Sequence, residues 1–405
     1  MKIAVIGAGI IGVTTAYELA SDGHEVTVLE RRGAAAEEAS FANAGIVAPG
    51  LPRRDVSHFF SPAPIKLRWP IAAHELAWFW KWQRARRGDQ GHLAQLQRLA
   101  SYSLERLHHL AADLKLDYEH SEGLLMLLRS EQDSKAMQSG LQLLREAGRE
   151  FKELSALDAR KIEPALSPDT AFFGAIQLPD AQVANCRQFA LLLKNECQHR
   201  GVTLAFNTEV THINSARGLT LTVAGDTSAR PFEAAVICAG ADSARLLGPL
   251  GIRLALAAVQ GYSISAPIRE SLNAPRSGVL DQRHQVAMTR LGNRVRVSGL
   301  AELGGVPGHK RANALQTLYR VLHDWFPGAA KLSGGVQEWQ GARPMLPDGA
   351  PMVGASGVPG LWLNLGHGDS GWALSCGSAR ALADLVAGKT PEIDLNGLGM
   401  EGLTR

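Results

Sequence analysis

Gly7, Gly9 and Gly12 stand in the spacing G-x-G-x-x-G, and an acidic residue, Glu30, follows 18 residues after the last of them. Residues of these types at this spacing bind a dinucleotide. Gly7 is expected to make the tight turn, Gly9 to let the backbone approach a pyrophosphate, and Gly12 to let a helix pack closely on its strand. Ile10 and Ile11 then carry the first N–H groups of that helix to the pyrophosphate. Glu30, with Arg31 beside it, can accept the hydroxyls of an adenosine ribose. Small residues recur at Ser40-Phe41-Ala42-Asn43-Ala44-Gly45-Ile46, where backbone and hydroxyl groups can come close to phosphate. They recur again at Ala239-Gly240-Ala241 and at Gly366-His367-Gly368-Asp369-Ser370-Gly371, each ahead of a helical pattern.

The elements that must position these groups are legible around them. Ile3 to Ile6 is a continuous apolar run of the kind seen in a strand buried on both faces. Ala16, Leu19 and Ala20 mark one face of the helix that follows, Gly23 ends it, and Glu25 to Leu29 reads as a second strand. The run Ile3–Val13 could also be read as the apolar core of a signal peptide, but three glycines interrupt it and a strand follows directly. Asn185 caps a helix to about His199, Gly201 to Phe206 reads as a parallel strand, and Thr208 to Val223 as an antiparallel excursion. Ala234 to Cys238 returns to the buried-strand pattern, as does Leu361 to Asn364 before a closing helix at Ala373 to Ala387. The nucleotide domain is thus interrupted and resumed.

The interruptions are of another character. His92 to Leu116 and Glu131 to Gly148 have helical periodicity, with a short strand at Gly123 to Leu128 between them. Ile252 to Val336 reads as antiparallel, with strands at Val259 to Ser265, Gln285 to Arg290 and Arg294 to Leu300 and a helix at Ala312 to Trp325. Gly341 to Gly349 reads as a turn-rich loop. The expected fold is α/β: a Rossmann-like domain of the two-dinucleotide-binding type with a discontinuous α+β substrate domain on an antiparallel sheet. Residues 1–50, 180–250 and 337–405 are assigned to the first, and 51–179 and 251–336 to the second.

One helix invites a functional reading of its own. His74 to Arg87 carries Trp78, Phe79, Trp80 and Trp82 beside Lys81, Arg84, Arg86 and Arg87, the mixture of aromatic and basic residues found in helices lying in a membrane interface. The alternative is a core helix with Leu76, Phe79, Trp80 and Gln83 inward and the arginines in water.

Composition narrows the classes. A net charge of +3 in 405 residues gives no footprint for nucleic acid. No run reaches the roughly 18 apolar residues of a membrane span. Cys186, Cys197, Cys238 and Cys376 lack metal-ligand spacing, so no metal site is expected and they read as buried thiols of a cytoplasmic protein.

Taken together, the stretches GAGIIGVTTAYELASDGHEVTVLER, SFANAG, VICAGADSARLLGPLGI, GARPMLPDGAPMVGA and LNLGHGDSGWALSCGSARALADLV resemble the FAD-dependent D-amino acid oxidoreductase family, most closely its D-amino acid dehydrogenase small-subunit branch. The match covers almost the whole chain and is loose between Leu51 and Pro179. The resemblance implies FAD held by Gly7, Gly9, Gly12 and Glu30, with Ser40, Asn43 and Gly45 near the pyrophosphate or ring. It places Val210 at the adenine, Ala239 and Gly240 along the cofactor, and Gly366 to Gly371 around the isoalloxazine. It also implies that Arg343 binds the substrate carboxylate, a pairing suited to a guanidinium fork. Tyr262 is a further candidate for the substrate pocket, and His367 is better suited to backbone contact with the flavin than to catalysis.

The implied reaction is hydride transfer from Cα of a D-amino acid to flavin N5, giving an imino acid that hydrolyses to a 2-oxo acid and ammonia. Oxidation of D-proline, D-hydroxyproline, sarcosine or glycine is the nearest alternative. The dehydrogenase branch favours a quinone or another electron-transfer partner over oxygen, which would give the tryptophan-rich helix a purpose at the inner face of the membrane. Three rivals remain. An NAD-dependent dehydrogenase would share the first 30 residues, an electron-passing subunit would not need Arg343, and Gly368-Asp369-Ser370-Gly371 spells the G-D-S-G of serine peptidases without their fold.

Overall fold

The structure is a computed structural model, and it describes residues 1–48, 65–85, 91–216, 218–306 and 312–400. Two sheets organise it. The first has six strands in the order Met352–Ala355, Leu361–Leu365, Ala234–Ile237, Lys2–Ile6, Glu25–Leu29, Thr203–Ala205, parallel except at its Met352–Ala355 edge. Lys2–Ile6 lies in the middle, which is why Ile3, Ala4, Val5 and Ile6 are all buried and all apolar.

The two faces of this sheet are covered differently. Ile3, Val5, Val26, Val28 and Val236 pack on helices Ile10–Ser21, Cys186–His199 and Gly371–Val386. Ala4, Ile6, Leu29, Ala235 and Ile237 face a three-stranded antiparallel sheet of Val210–Asn214, Leu219–Val223 and Arg230–Phe232. Alternate residues of one strand therefore choose between a helical layer and a β layer. Asn185 caps its helix as expected, its side chain accepting from Gln188 N.

The second sheet has ten strands. Its main path runs Gln337–Met345, Ala257–Pro267, Arg294–Gly304, Val286–Leu291, Gly278–Asp281, His120–Leu128, Gly174–Ala184, Ile46–Val47. It is mixed rather than antiparallel throughout, because Gly278–Asp281 pairs parallel with His120–Leu128 and Lys66–Arg68 pairs parallel with Arg294–Gly304. Helix Ala312–Trp325 covers one face, burying Leu315, Leu318, Val321, Leu322 and Trp325 against Tyr262, Ile264, Val295 and Val297.

Several sequence expectations are revised. Gly341 to Met345 is not loop but the end of strand Gln337–Met345, paired along its whole length with Ala257–Pro267. Pro344 is tolerated there because the strand is an edge. Helix Gly91–Asp113 packs Leu104, Leu107 and Leu110 into the core of the parallel-sheet domain. Buried Glu18 joins these layers, taking Arg106 and Arg380 at 2.8 Å each. The helix expected over Glu131 to Gly148 is two pieces, Glu131–Lys135 and Gln138–Glu146.

The tryptophan-rich helix spans Ala73–Ala85, and Arg86 and Arg87 lie outside the described residues. Its buried residues are Trp78 and Trp82, one turn apart, packed on Ile65, Ala257, Val259 and Leu303. Trp80, expected to face inward in the core alternative, is 72% exposed. The helix is therefore a core element that leaves one tryptophan outside. Among the described residues no helix is long and apolar enough to cross a membrane.

Candidate functional site

A continuous cavity of about 1150 Å³ runs from the end of the parallel sheet to the large sheet. Its first part is the glycine turn. Gly7 has φ +104°, and a Cβ there would lie 2.5 Å from the Cys238 carbonyl oxygen, so neither the conformation nor the space admits another residue. A Cβ on Gly12 would lie 1.9 Å from the Gly7 carbonyl oxygen, the close helix-to-turn packing the spacing implies. Helix Ile10–Ser21 begins at Gly9 without a side-chain cap, and Gly9, Ile10 and Ile11 line the cavity. Ser40 reaches back across 30 residues to accept from Ile10 N at 3.0 Å.

Glu30 is held by the same turn. One carboxylate oxygen accepts from Ala8 N at 2.6 Å and the other from Arg32 N at 2.7 Å, leaving each oxygen a further lone pair. Arg31 pairs with Asp242, which follows Gly240, and Val210 and Glu209 complete this end.

A second uncapped helix start opens on the cavity at Gly371, after Gly366 (φ +80°) and Gly368 (φ +57°). His367 is buried, its Nε2 lying 3.1 Å from Ser378 Oγ, and burial pushes its pKa down to about 3. It is neutral at ordinary pH, so it brings no charge to the cavity. Its backbone forms a bridge to Met345, and Trp78 Nε1 donates to the Met345 carbonyl at 3.0 Å. The glycine loop, the buried tryptophan and the end of the Arg343 strand are thus fixed to one another.

Arg343 lies on the face of the large sheet turned away from helix Ala312–Trp325. It leans along the sheet over Gly261, where a Cβ would fall 2.5 Å from Nη2. Trp339 leans from the other direction over Gly341, where a Cβ would fall 1.8 Å from the indole. Two glycines without side chains therefore make the floor between a cation and an aromatic wall, and Phe41 stacks on Trp339 with centroids 6.3 Å apart. Arg343 Nη1 donates to the Leu300 carbonyl at 2.8 Å. That carbonyl is presented by a bulge: Leu300 and Ala301 together oppose Gly261, and Leu300 has φ +61°. Among the described residues no carboxylate comes within ion-pair distance of Arg343. Desolvation lowers its pKa, opposed by the field of Asp369, and it remains a cation.

Residues 2–385 match the FAD dependent oxidoreductase (DAO) family. The chain belongs to this family. It is 36% identical to a D-amino acid dehydrogenase of Bradyrhizobium diazoefficiens, over 99% of this chain and 98% of the relative. It is 38% identical to one of Cereibacter sphaeroides, over 99% and 95%. Glycine oxidase from Geobacillus kaustophilus has a similar fold, with a TM-score of 0.80 at 24% identity over 98% of both chains. The protein is an FAD-dependent oxidoreductase of mixed α/β fold with a Rossmann-like core.

The residues present fit FAD. Gly9 and Ile11 leave N–H groups for the pyrophosphate, beside the Ile10 N–H that Ser40 holds, and the spare lone pairs of Glu30 suit a ribose. At the far end Asn364 Oδ1 and Trp372 Nε1 are buried on the cavity wall without a partner among the described residues, as suits two polar atoms that a cofactor would satisfy. Asn43, Ala44, Gly45, Ile46, Ala239, Gly240, Gly366, His367, Gly368, Ser370 and Gly371 all line the same cavity.

Tyr262 lines the same cavity as Arg343 but from the other face of the sheet. Tyr262 is paired with Gln340, three positions from Arg343, so the two side chains leave opposite faces of the sheet. Tyr262 is buried toward helix Ala312–Trp325, and its hydroxyl donates to Glu302 Oε2 at 2.8 Å. Glu302 also receives Arg68 on Oε1. Trp339, Gly341 and the Leu300 bulge were not anticipated. Once Gln337–Met345 is recognised as a strand, alternation places Trp339, Gly341 and Arg343 on one face, and Q-G-A-R-P alone does not disclose that.

Proposed function

We propose that this protein oxidises D-amino acids, with Arg343 holding the α-carboxylate. The observation that carries the reading is a half-buried guanidinium, without a carboxylate partner among the described residues, set over a glycine floor in the cavity that the glycine turn and the Gly366–Gly371 loop also line. A carboxylate arriving there gains a two-point, charge-assisted contact in a site largely removed from water. Trp339 and the two glycines restrict where Cα can stand, which is an orienting role. When bound, FAD supplies the acceptor for the Cα hydride. The Leu300 carbonyl keeps Arg343 in place, and neutral His367 leaves the amine of the substrate free of a competing charge. The names of the relatives support the same substrate class. The test is a panel of D- and L-amino acids with an artificial dye and with oxygen as acceptors: dye reduction confined to D-amino acids is expected, and turnover of L-amino acids alone would refute the reading.

Electrons are proposed to leave to a quinone or protein acceptor rather than oxygen, at a membrane surface. Trp69 and Trp80 are 83% and 72% exposed, Leu67 is exposed close to Trp69 in sequence, and Lys66, Lys81 and Arg84 supply positive charge. Replacing Trp69 and Trp80 by serine should abolish flotation with anionic liposomes, and unchanged flotation would refute this contact.

A further inference from the structure

Gly261 and Ser263 stand two residues apart on one strand and so share a face, about 7 Å apart along it. Arg343 covers Gly261, and Ser298 lies directly across from Ser263 in the register. Both serines are buried, Ser263 at 1% and Ser298 at 4% exposure. Among the described residues neither hydroxyl has a hydrogen-bond partner, not even the other serine, and Ser298 lines the cavity. Two residues further along the same face, Arg296 Nε is likewise buried without a partner, while its Nη1 donates to the Asn43 carbonyl. Unsatisfied buried polar groups are costly, and of these three Ser298 opens on the cavity, where an arriving oxygen atom would satisfy it.

The distance to Arg343 decides whose oxygen. An α-carboxylate on Arg343 leaves a gap to the serine row that a side chain of one or two carbons and a terminal oxygen can span. We infer that Ser298, supported by Ser263, is a specificity-determining residue that selects substrates whose side chain ends in oxygen: hydroxyl, carboxamide or carboxylate. The inference rests on the D-amino acid reading and sharpens it to a substrate class. A site with buried polar groups rejects an apolar isostere because those groups are left unpaired, whereas an apolar pocket discriminates weakly against an added hydroxyl.

The test compares D-serine with D-2-aminobutyrate, which differ by hydroxyl against methyl, and adds D-asparagine and D-aspartate to rank the three oxygen groups. The parent should prefer D-serine by about tenfold or more in kcat/KM. Ser298→Ala should abolish that preference, raising KM for D-serine and lowering it for D-2-aminobutyrate, with the flavin absorbance ratio showing that FAD stays bound. Ser298→Thr, which keeps the hydroxyl, should restore part of it. An unchanged ratio in Ser298→Ala overturns the inference and leaves D-amino acid oxidation standing. So does a changed FAD affinity with an unchanged ratio, since the hydroxyl would then serve the cofactor. A parent enzyme that oxidises none of these D-amino acids overturns the functional reading itself, and the subsite with it.

Discussion

The guanidinium of Arg343 occupies the space that a side chain at Gly261 would need, with Nη2 at 2.5 Å and Cζ at 2.7 Å from the position of a Cβ. The glycine is thus part of the arginine's site. Gly261→Ala should push Arg343 off its place and raise KM for a D-amino acid roughly tenfold or more, while FAD stays bound. Steady-state kinetics beside the flavin absorbance ratio would check this, and an unchanged KM would show that Arg343 can move without loss.

Glu30 predicts a defect of the opposite kind. Glu30→Gln keeps the shape but replaces an acceptor-only carboxylate, so the contacts of Ala8 N and Arg32 N weaken along with those offered to a ribose. FAD dissociation should become about tenfold more favourable, measured by ultrafiltration or flavin fluorescence, with KM for the amino acid little changed.

Trp78 and Trp82 test the core reading of their helix. Trp78→Ala should cost about 3–5 kcal/mol in chemical denaturation, because the side chain is 3% exposed and its Nε1 holds the Met345 carbonyl. Trp80→Ser should leave stability nearly unchanged. Similar losses for both would contradict the observed burial.

The fold was readable to the extent that single segments carry their own pattern. Ile3–Ile6, the three glycines and Asn185 each act through local backbone chemistry, and all stand where expected. Helix Ala312–Trp325 was legible from the periodicity that buries Leu315, Leu318 and Leu322. The site was less legible because it is made by register. Arg343 on a strand, Trp339 over Gly341 and the bulge at Leu300 depend on which strand lies beside which, and no local signal in Q-E-W-Q-G-A-R-P encodes its pairing with Ala257–Pro267. Tyr262 shows the same limit: three positions of offset send it to the other face. Trp78 and Trp80 differ in burial by their place on the helix, which composition cannot tell.

Tyr262→Phe follows from that offset. The hydroxyl serves Glu302 on the far face, so its loss should cost about 1–2 kcal/mol of stability and leave kcat/KM within a few-fold. A large loss of turnover with normal stability would show that the Tyr262 hydroxyl acts on the substrate.

His367 gives the protein a pH signature. Its pKa is pushed down to about 3 in the fold from an ordinary 6.5. Between those values the unfolded chain binds a proton that the folded chain does not, so stability is present above about pH 6.5 and is lost as pH falls. This group adds at most about 1.4 kcal/mol per pH unit to the slope. Urea unfolding in the range of about pH 5 to pH 7 should show the parent losing stability faster on acidification than His367→Gln.

The most direct measurement is anaerobic stopped-flow reduction of the bound FAD by D-alanine in the parent, Arg343→Lys and Arg343→Ala. The parent should be reduced by D-alanine and not by L-alanine. Arg343→Ala should lose roughly a hundredfold or more in the second-order rate with FAD still bound, and Arg343→Lys should recover part of it, since an ammonium keeps the charge without the fork. Flavin reduction at the parent rate in Arg343→Ala would contradict the assignment of the carboxylate to Arg343.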